Sequence, residues 1–183
     1  LKDYLLTGKT IFEDAWVNYH IVDEKGHKMS KSLGNIIDPR KALDRYGAEP
    51  FRLWAVVEGN LDRTDFRCSF ERIEGAGKTV TKLWNVSKFI SMFPKPSKGK
   101  LLEADKWIIS ELNALIEETE KGYSNYDFHN PVVKIKSFIW ETFSSHYLEL
   151  VKARAYNQEG KFSKEESDGA RWTLYYCLEN LLK

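Results

Sequence analysis

One short segment combines the residue types that could neutralise a polyphosphate. Two lysines flank a small, polar pair in the string Lys28-Met29-Ser30-Lys31-Ser32. Two ammonium groups, with hydroxyl and backbone donors beside them, can hold phosphate oxygens without covalent chemistry. As an isolated string of five residues it also fits an ordinary surface loop, so its surroundings in the chain must decide its interpretation.

A lysine-rich helix is the second candidate site. Lys78, Lys82, Asn85 and Phe89 are spaced by four, three and four residues, which places them on one helical face. Such a face suits single-stranded RNA, because a ring can stack on a base, an amide can pair with a base edge and lysine can hold the backbone. The alternative is that Phe89 is core and the lysines are solvated. Residue types alone leave both interpretations open.

Local patterns place the lysine string in a loop between a strand and a helix. Alternating apolar and polar residues predict a strand over 15–22, and the residues at 23–26 predict a tight turn after it. Residues 27–36 show no periodicity and are predicted to form a loop. We expect this loop to present the two lysines.

Capping signals define the helices that follow. Asp38 as N-cap, Pro39 at the first helical position and Gly47 at the C-terminal end predict one helix. A second short helix is predicted from 49 onward, and an irregular polar connection over 59–68.

Long helices are predicted for the rest of the chain. Ser69 is expected to cap a helix that reaches about Met92, with Trp84 among its packing residues. A Pro- and Gly-containing linker over 94–99 comes next. Two further helices are predicted over 102–122 and 128–156, and a capping box at 163–166 opens the last. The tryptophans of the last three helices, one on each, are expected to fill the bundle core, namely Trp107, Trp140 and Trp172.

Composition excludes several classes of protein. The 183 residues are 42% apolar and 14% aromatic, as in globular domains. The net charge of +1 excludes a uniformly basic nucleic-acid coat, although six lysines and no acids lie over 78–100. No apolar run reaches the roughly 18 residues of a membrane span. Two cysteines predict reduced thiols in a cytoplasmic protein, and no metal-ligand spacing is present.

The surroundings of the lysine string resemble the second signature of the class I aminoacyl-tRNA synthetases. Residues 23–39 carry this resemblance, and 46–54 follow the family's Tyr-Gly-Ala-Asp-Ala-Leu-Arg-Leu-Trp segment. Segments 70–75 and 82–89 are similar to the subgroup that charges branched aliphatic amino acids. Within it, 83–87 and 146–152 are most similar to valine-specific members, with isoleucine-specific members as the close alternative.

The resemblance implies a ligase that activates an amino acid with ATP and transfers it to the terminal ribose of tRNA. Lys28 and Lys31 match the family's two lysines, so both are expected to hold the ATP phosphates, with Lys31 acting as pyrophosphate leaves. Met29, Ser30 and Ser32 complete the expected ATP site, the serines by shaping the loop. Mg²⁺ is expected to accompany the nucleotide.

The family also implies that the helices after this loop receive tRNA. The expected tRNA-contacting residues are Arg72, Lys82, Asn85 and Phe89. Residues 1–68 are then the end of a catalytic domain, with the lysine loop and a stem-contact region. Residues 69–183 are an incomplete anticodon-binding domain with a linker near 94–100.

The family's first signature, His-x-Gly-His, has no counterpart among the four histidines. We therefore expect a carboxy-terminal part of a longer polypeptide, whose other catalytic and editing domains are its partners, and no adenylate formation by this chain alone. The predicted fold is mainly α, with a small α/β remnant carrying the lysine loop and a truncated antiparallel helix bundle after it. The alternative is a free-standing tRNA-binding module without catalysis, against which the retained Lys28 and Lys31 argue.

Overall fold

The computed structural model describes residues 2–10, 12, 14, 17, 19–60 and 64–183. This part of the chain is mainly α-helical, as predicted. Its elements in chain order are α1 (Lys2–Thr7), β1 (Ile21–Val22), α2 (Pro39–Tyr46), α3 (Ala48–Val57), β2 (Phe66–Arg67), α4 (Phe70–Ser91), α5 (Glu103–Ser124), α6 (His129–Ser137), a π-helical segment (Phe138–Leu148), α7 (Glu149–Tyr156) and α8 (Lys164–Leu181).

A two-stranded parallel sheet precedes the long helices. Strand β1 pairs with β2 so that Ile21 lies opposite Phe66 and Val22 opposite Arg67. The predicted strand over 15–22 is thus seen only in its last two residues, and positions 15, 16 and 18 lie outside the described residues. Strand β2 falls within the connection predicted to be irregular. Two residues are too few to show a strand periodicity, so only pairing with β1 defines it.

The helix starts confirm the capping predictions. Asp38 accepts a hydrogen bond from the Arg40 backbone N–H at 2.9 Å, and Ser69 accepts one from the Arg72 backbone N–H at 3.3 Å. At α8, Ser163 and Glu166 cap each other reciprocally. These local side-chain bonds satisfy N–H groups that have no partner within the helix.

Helix α4 is shared by two hydrophobic clusters. Its first half contributes Ile73 and Ala76 to a small core that also contains the buried Trp54. Its second half contributes Val86 and Ile90 to the larger core of the helices that follow. The 94–99 linker therefore does not separate two cores, and the division of the chain into two functional domains stays a prediction.

The connection between α4 and α5 is held against α8. The Lys100 backbone N–H donates to the Glu165 carbonyl at 2.9 Å, and the Lys98 ammonium lies 5.1 Å from the Trp172 ring centroid. The main chains approach so closely that a Cβ on Gly169 would lie 2.1 Å from the Lys100 carbonyl oxygen. The predicted linker is thus a docked segment.

The core of the larger cluster contains one buried polar group. The fully buried Asp105 carboxylate accepts from the Tyr147 hydroxyl at 2.6 Å and from the Arg154 guanidinium at 2.5 and 2.8 Å. It also accepts from the Leu102 backbone N–H at 2.8 Å, one turn before it. Burial raises the pKa of Tyr147, and the neighbouring carboxylate raises it further, so the phenol stays protonated and donates.

The tryptophan prediction was wrong for this core. Trp107 is 41% exposed, and Trp140 and Trp172 are half-buried and belong neither to the cluster nor to the partly buried residues packed against it. Phenylalanine and tyrosine side chains fill the centre instead, with Phe143 and Tyr147 stacked at a centroid distance of 6.3 Å. Apolar spacing identified the helices but not which large side chain points inward.

The helix predicted over 128–156 contains the eleven-residue π-helical segment Phe138–Leu148, which the sequence did not predict. Within it, the side-chain hydroxyls of Ser144 and Ser145 donate to the carbonyls of Ile139 and Trp140, five residues earlier, at 2.5 and 2.7 Å. A π-helical segment changes which residues share a face. After it, Val151 is buried and Leu150 is 66% exposed.

We expect the Asp105→Ala substitution to lower the free energy of unfolding by about 3–5 kcal/mol, because it leaves the buried Arg154 charge without its partner. Urea denaturation followed by circular dichroism measures this change. Glu103→Ala is the matched control on the same helical turn, since its side chain is 90% exposed and its ion pair with Lys106 contributes only about 0.3–0.5 kcal/mol. Equal losses for the two variants would contradict the assignment of Asp105 as the core's polar anchor.

Candidate functional site

One asparagine holds together the loop over 27–36 that carries Lys28 and Lys31, here called the lysine loop. The Asn35 side-chain amide accepts from the Ser30 backbone N–H at 2.9 Å, and donates to the Asp23 carboxylate at 2.9 Å and to the Lys28 carbonyl at 3.4 Å. Asn35 thus joins both ends of the loop to the turn that precedes it. Sequence reasoning did not single out this residue, because its partners are brought together only by the fold.

Asp23 organises the turn at the base of the loop. Its carboxylate accepts from the backbone N–H groups of Lys25 at 3.0 Å and His27 at 2.9 Å, in addition to Asn35. The Asn35 hydrogen bond, followed by that from His27, lowers the pKa of Asp23. These hydrogen bonds stabilise the ionised form of Asp23 in the folded protein. Their contribution to the free energy of unfolding is therefore present at neutral pH and is lost when acid protonates Asp23.

Some residues of the loop make contacts within the protein, whereas its two lysines are exposed. The Ser30 hydroxyl lies 3.1 Å from that of Ser32 and accepts from the Leu33 backbone N–H at 3.2 Å, and Met29 packs against the small core. Lys28 and Lys31 are exposed, and no carboxylate of the described residues lies within ion-pair distance of either. The geometry therefore leaves two unneutralised ammonium groups on a shaped loop.

Arg72 lies beside this loop, near the start of α4. Its guanidinium bonds Glu24 at 2.6 Å and Glu58 at 2.5 Å. The Arg72 hydrogen bond lowers the pKa of Glu24, whereas burial raises the pKa of Glu58 against the attraction of Arg72. The predicted RNA contact of Arg72 stays a prediction, and both ion-pair partners of this residue among the described residues are carboxylates.

The other predicted RNA-contacting residues lie about 15 Å or more further along α4. Asn85 is exposed, whereas Lys82 is half-buried with its ammonium 5.1 Å from the Trp140 ring centroid. Phe89 packs edge-on against Phe93 and Tyr156 at centroid distances of 5.4 and 5.9 Å. The structure brings these three residues together and separates them from Arg72.

Trp84 was predicted to pack, and this was wrong. The side chain is 62% exposed and belongs to neither core cluster. Its neighbour one turn later is Lys88, whose ammonium lies 5.6 Å from the ring centroid. Helical spacing alone did not distinguish this position from the buried Val86.

The charge of α4 is largely unneutralised toward its C-terminal end. Among the described residues, no carboxylate forms an ion pair with Lys78, Lys82 or Lys88, whereas Lys95 and Lys100 pair with Glu179 and Glu166. A polyanion is the partner that such a face attracts.

Other chemistries find little support in the described part of the chain. No group of three potential metal ligands occurs among these residues, and none of their helices is long and apolar enough to cross a membrane. Burial raises the pKa of the Cys68 thiol to about 11 and that of Cys177 to about 12, so neither is a ready nucleophile.

Two family profiles match the chain. The family described as tRNA synthetases class I (I, L, M and V) matches residues 3–66, and the anticodon-binding domain of tRNA ligase matches residues 105–183. Among curated relatives, the valine–tRNA ligase of Pyrobaculum aerophilum is 40% identical over 100% of this chain and 23% of its own length. That of Aeropyrum pernix is 37% identical over 100% of the chain and 22% of its own length. The chain belongs to the class I aminoacyl-tRNA synthetases.

This membership confirms the resemblance predicted from residues 23–54. A bacterial valine–tRNA ligase, from Bacillus cereus, is also similar, at 33% identity over 97% of the chain and 20% of its own length. The chain therefore spans less than a quarter of the length of these relatives.

Solved synthetases share the fold. A methionyl-tRNA synthetase from Mycobacterium tuberculosis matches 87% of the chain, and 32% of its own, with a TM-score of 0.69 at 22% identity. An Agrobacterium radiobacter LeuRS in a ternary complex with tRNA matches 90% of the chain, and 20% of its own, with a TM-score of 0.59 at 19% identity. At these identities the similarity extends to the fold alone.

We expect Asn35→Ala to open the lysine loop. Loss of the bond to the Ser30 backbone N–H should accelerate hydrogen exchange of that amide by about 5- to 10-fold, the value of one hydrogen bond. NMR-detected exchange at neutral pH measures it. Lys25→Ala is the control, because Lys25 contributes only its backbone N–H to the same turn. Unchanged protection of Ser30 in Asn35→Ala would show that the loop is held by other contacts.

Proposed function

We propose that this chain is part of a valine–tRNA ligase and supplies its ATP-phosphate loop and a tRNA-binding helical surface. The observation that carries the proposal is the similarity of the whole chain to valine–tRNA ligases from archaea and bacteria. The names of these relatives favour valine over isoleucine. The paired family profiles favour a ligase over a free-standing RNA-binding module.

The proposed reaction begins with attack of the valine carboxylate on the α-phosphorus of ATP. The bond to the β-phosphate oxygen breaks, and pyrophosphate leaves with the negative charge that develops on it. Lys28 and Lys31 would neutralise that charge, which is where preorganised cations accelerate phosphoryl chemistry most. Mg²⁺ would arrive on the nucleotide phosphates and screen them further. In the second step, the terminal ribose of tRNA displaces AMP from the adenylate.

The shaped loop supports this role. Asn35, Ser30 and the turn at Asp23 fix the backbone between the two lysines. Because the ammonium groups have no carboxylate partner among the described residues, ATP would not have to break an existing ion pair. Met29 and Ser32 belong to the same proposed ATP site through the loop that they shape.

The RNA side of the proposal rests on α4 and the helices packed against it. Lys82, Asn85 and Phe89 would contact the anticodon loop, and Arg72 would contact tRNA nearer the start of α4. We further propose that the helices from α5 to α8 are the incomplete antiparallel bundle of an anticodon-binding domain. The anticodon-domain profile over 105–183 supports this assignment.

In an enzyme that contains this chain, we expect Lys31→Ala to reduce ATP–pyrophosphate exchange by about 10²–10³-fold, as for removal of one transition-state donor. Affinity for tRNA should not change. Lys41→Ala on α2 is the matched control, since it is an exposed lysine outside the loop. Exchange at the wild-type rate in Lys31→Ala would refute the assigned role of the lysine loop.

The RNA surface is tested by titrating the purified chain with valine tRNA, isoleucine tRNA and valine tRNA carrying a swapped anticodon. We expect Lys82→Met to weaken all three complexes and to reduce the salt slope by about 1, as a phosphate contact would. Asn85→Ala should instead reduce the preference for the valine anticodon, by about 1–3 kcal/mol.

Lys106→Ala on α5 provides the control for that titration, because this lysine lies among acids and already pairs with Glu103. Equal affinity of the wild-type chain for all three tRNAs, at both low and high salt, would argue against an anticodon-reading surface. It would leave the ATP loop untouched.

A further inference from the structure

The most exposed large aromatic side chain of α4 has no structural role in the described chain. Trp84 makes no hydrogen bond through its indole N–H to any described residue, and its one charged contact is the Lys88 ammonium. Two tryptophans of the later helices are instead engaged by other side chains. Trp140 donates to the Thr79 hydroxyl at 3.1 Å, and Trp172 stacks on Tyr176 at 5.0 Å.

Helical geometry places polar groups beside the Trp84 ring. Thr81, Trp84, Asn85 and Lys88 occupy positions i, i+3, i+4 and i+7, so they form one exposed stripe, here called the Trp84 stripe. It offers a flat apolar surface, an amide and a cation within two helical turns. Phe89, the ring singled out from the sequence, is instead packed against two other aromatic rings.

The positive charge around the Trp84 stripe indicates which kind of partner could bind it. From 75 to 100 the chain contains six lysines and no acid, and the three lysines on α4 have no ion-pair partner among the described residues. An occupant that matches both the exposed indole and this charge must combine flat apolar faces with negative charge. Unstacked nucleotides have both properties, and aromatic side chains are the usual platform for them.

We propose that Trp84 is a base-stacking residue for single-stranded RNA, with Asn85 at the base edge and Lys88 at the backbone. The proposal rests on the proposed tRNA-binding function and assigns to it a residue that sequence spacing had placed in the core. The stacked nucleotide would come from a single-stranded loop of the tRNA, because bases within a duplex are already stacked on one another.

The test uses the purified chain and two fluorescently labelled RNAs: the hairpin that carries the valine anticodon in its loop, and a fully paired duplex of equal length. We expect Trp84→Ala to weaken hairpin binding by about 5- to 100-fold, the range for loss of one stacked base. Trp84→Phe should retain most of the affinity. Duplex binding and the salt slope of the hairpin complex should not change, since no phosphate contact is removed.

Trp107→Ala is the matched control, as an exposed tryptophan on the acid-rich α5. Hairpin binding by Trp84→Ala at the wild-type level, with Lys82→Met still weakened, would overturn the stacking role and leave the proposed function standing. No binding of either RNA by the wild-type chain would overturn both. Equal loss on hairpin and duplex would overturn stacking, because duplex bases are not available to the ring.

Discussion

The Asp105 carboxylate is the interaction on which the larger helical cluster depends. It receives hydrogen bonds from the chain just before α5, from the π-helical segment and from α7. A buried carboxylate must have all its acceptor positions satisfied, so these three parts of the chain have few alternative arrangements. Apolar packing around Phe143 could tolerate small shifts between helices, whereas such shifts would break the hydrogen bonds to the Asp105 carboxylate.

Helix α4 transmits that fixed arrangement to the lysine loop. Its C-terminal half packs into the core anchored by Asp105, and its N-terminal half packs into the smaller core. Arg72 then joins the helix to the turn before the loop through Glu24, and to α3 through Glu58. Helix α4 therefore carries the surface proposed for RNA and is joined by Arg72 to the turn before the loop proposed for ATP.

Sequence patterns predicted what depends on neighbours in the chain. Caps at Asp38, Ser69 and Ser163 are local hydrogen bonds, and the lysine loop is a contiguous string. The sequence did not predict what depends on partners distant in the chain. Strand β2 exists only through its pairing with β1, Asn35 acts only because the fold brings Asp23 within its reach, and the exposure of Trp84 follows from which edge of α4 the other helices leave uncovered. The π-helical segment is a further case, since spacing by three and four presumes the α-helical repeat that this segment interrupts.

The close passage of residues 99–100 over α8 has a consequence for the helix itself. Glycine is about 1 kcal/mol less favourable than alanine in a helix interior, yet Gly169 lies within α8. No side chain fits at this position, because the Lys100 carbonyl group occupies the space that a Cβ atom would need. Intrinsic helix propensity is thus given up at this position in favour of contact between two main chains. The amino acid at 169 is determined by the path of a segment almost seventy residues earlier, not by the helix that contains it.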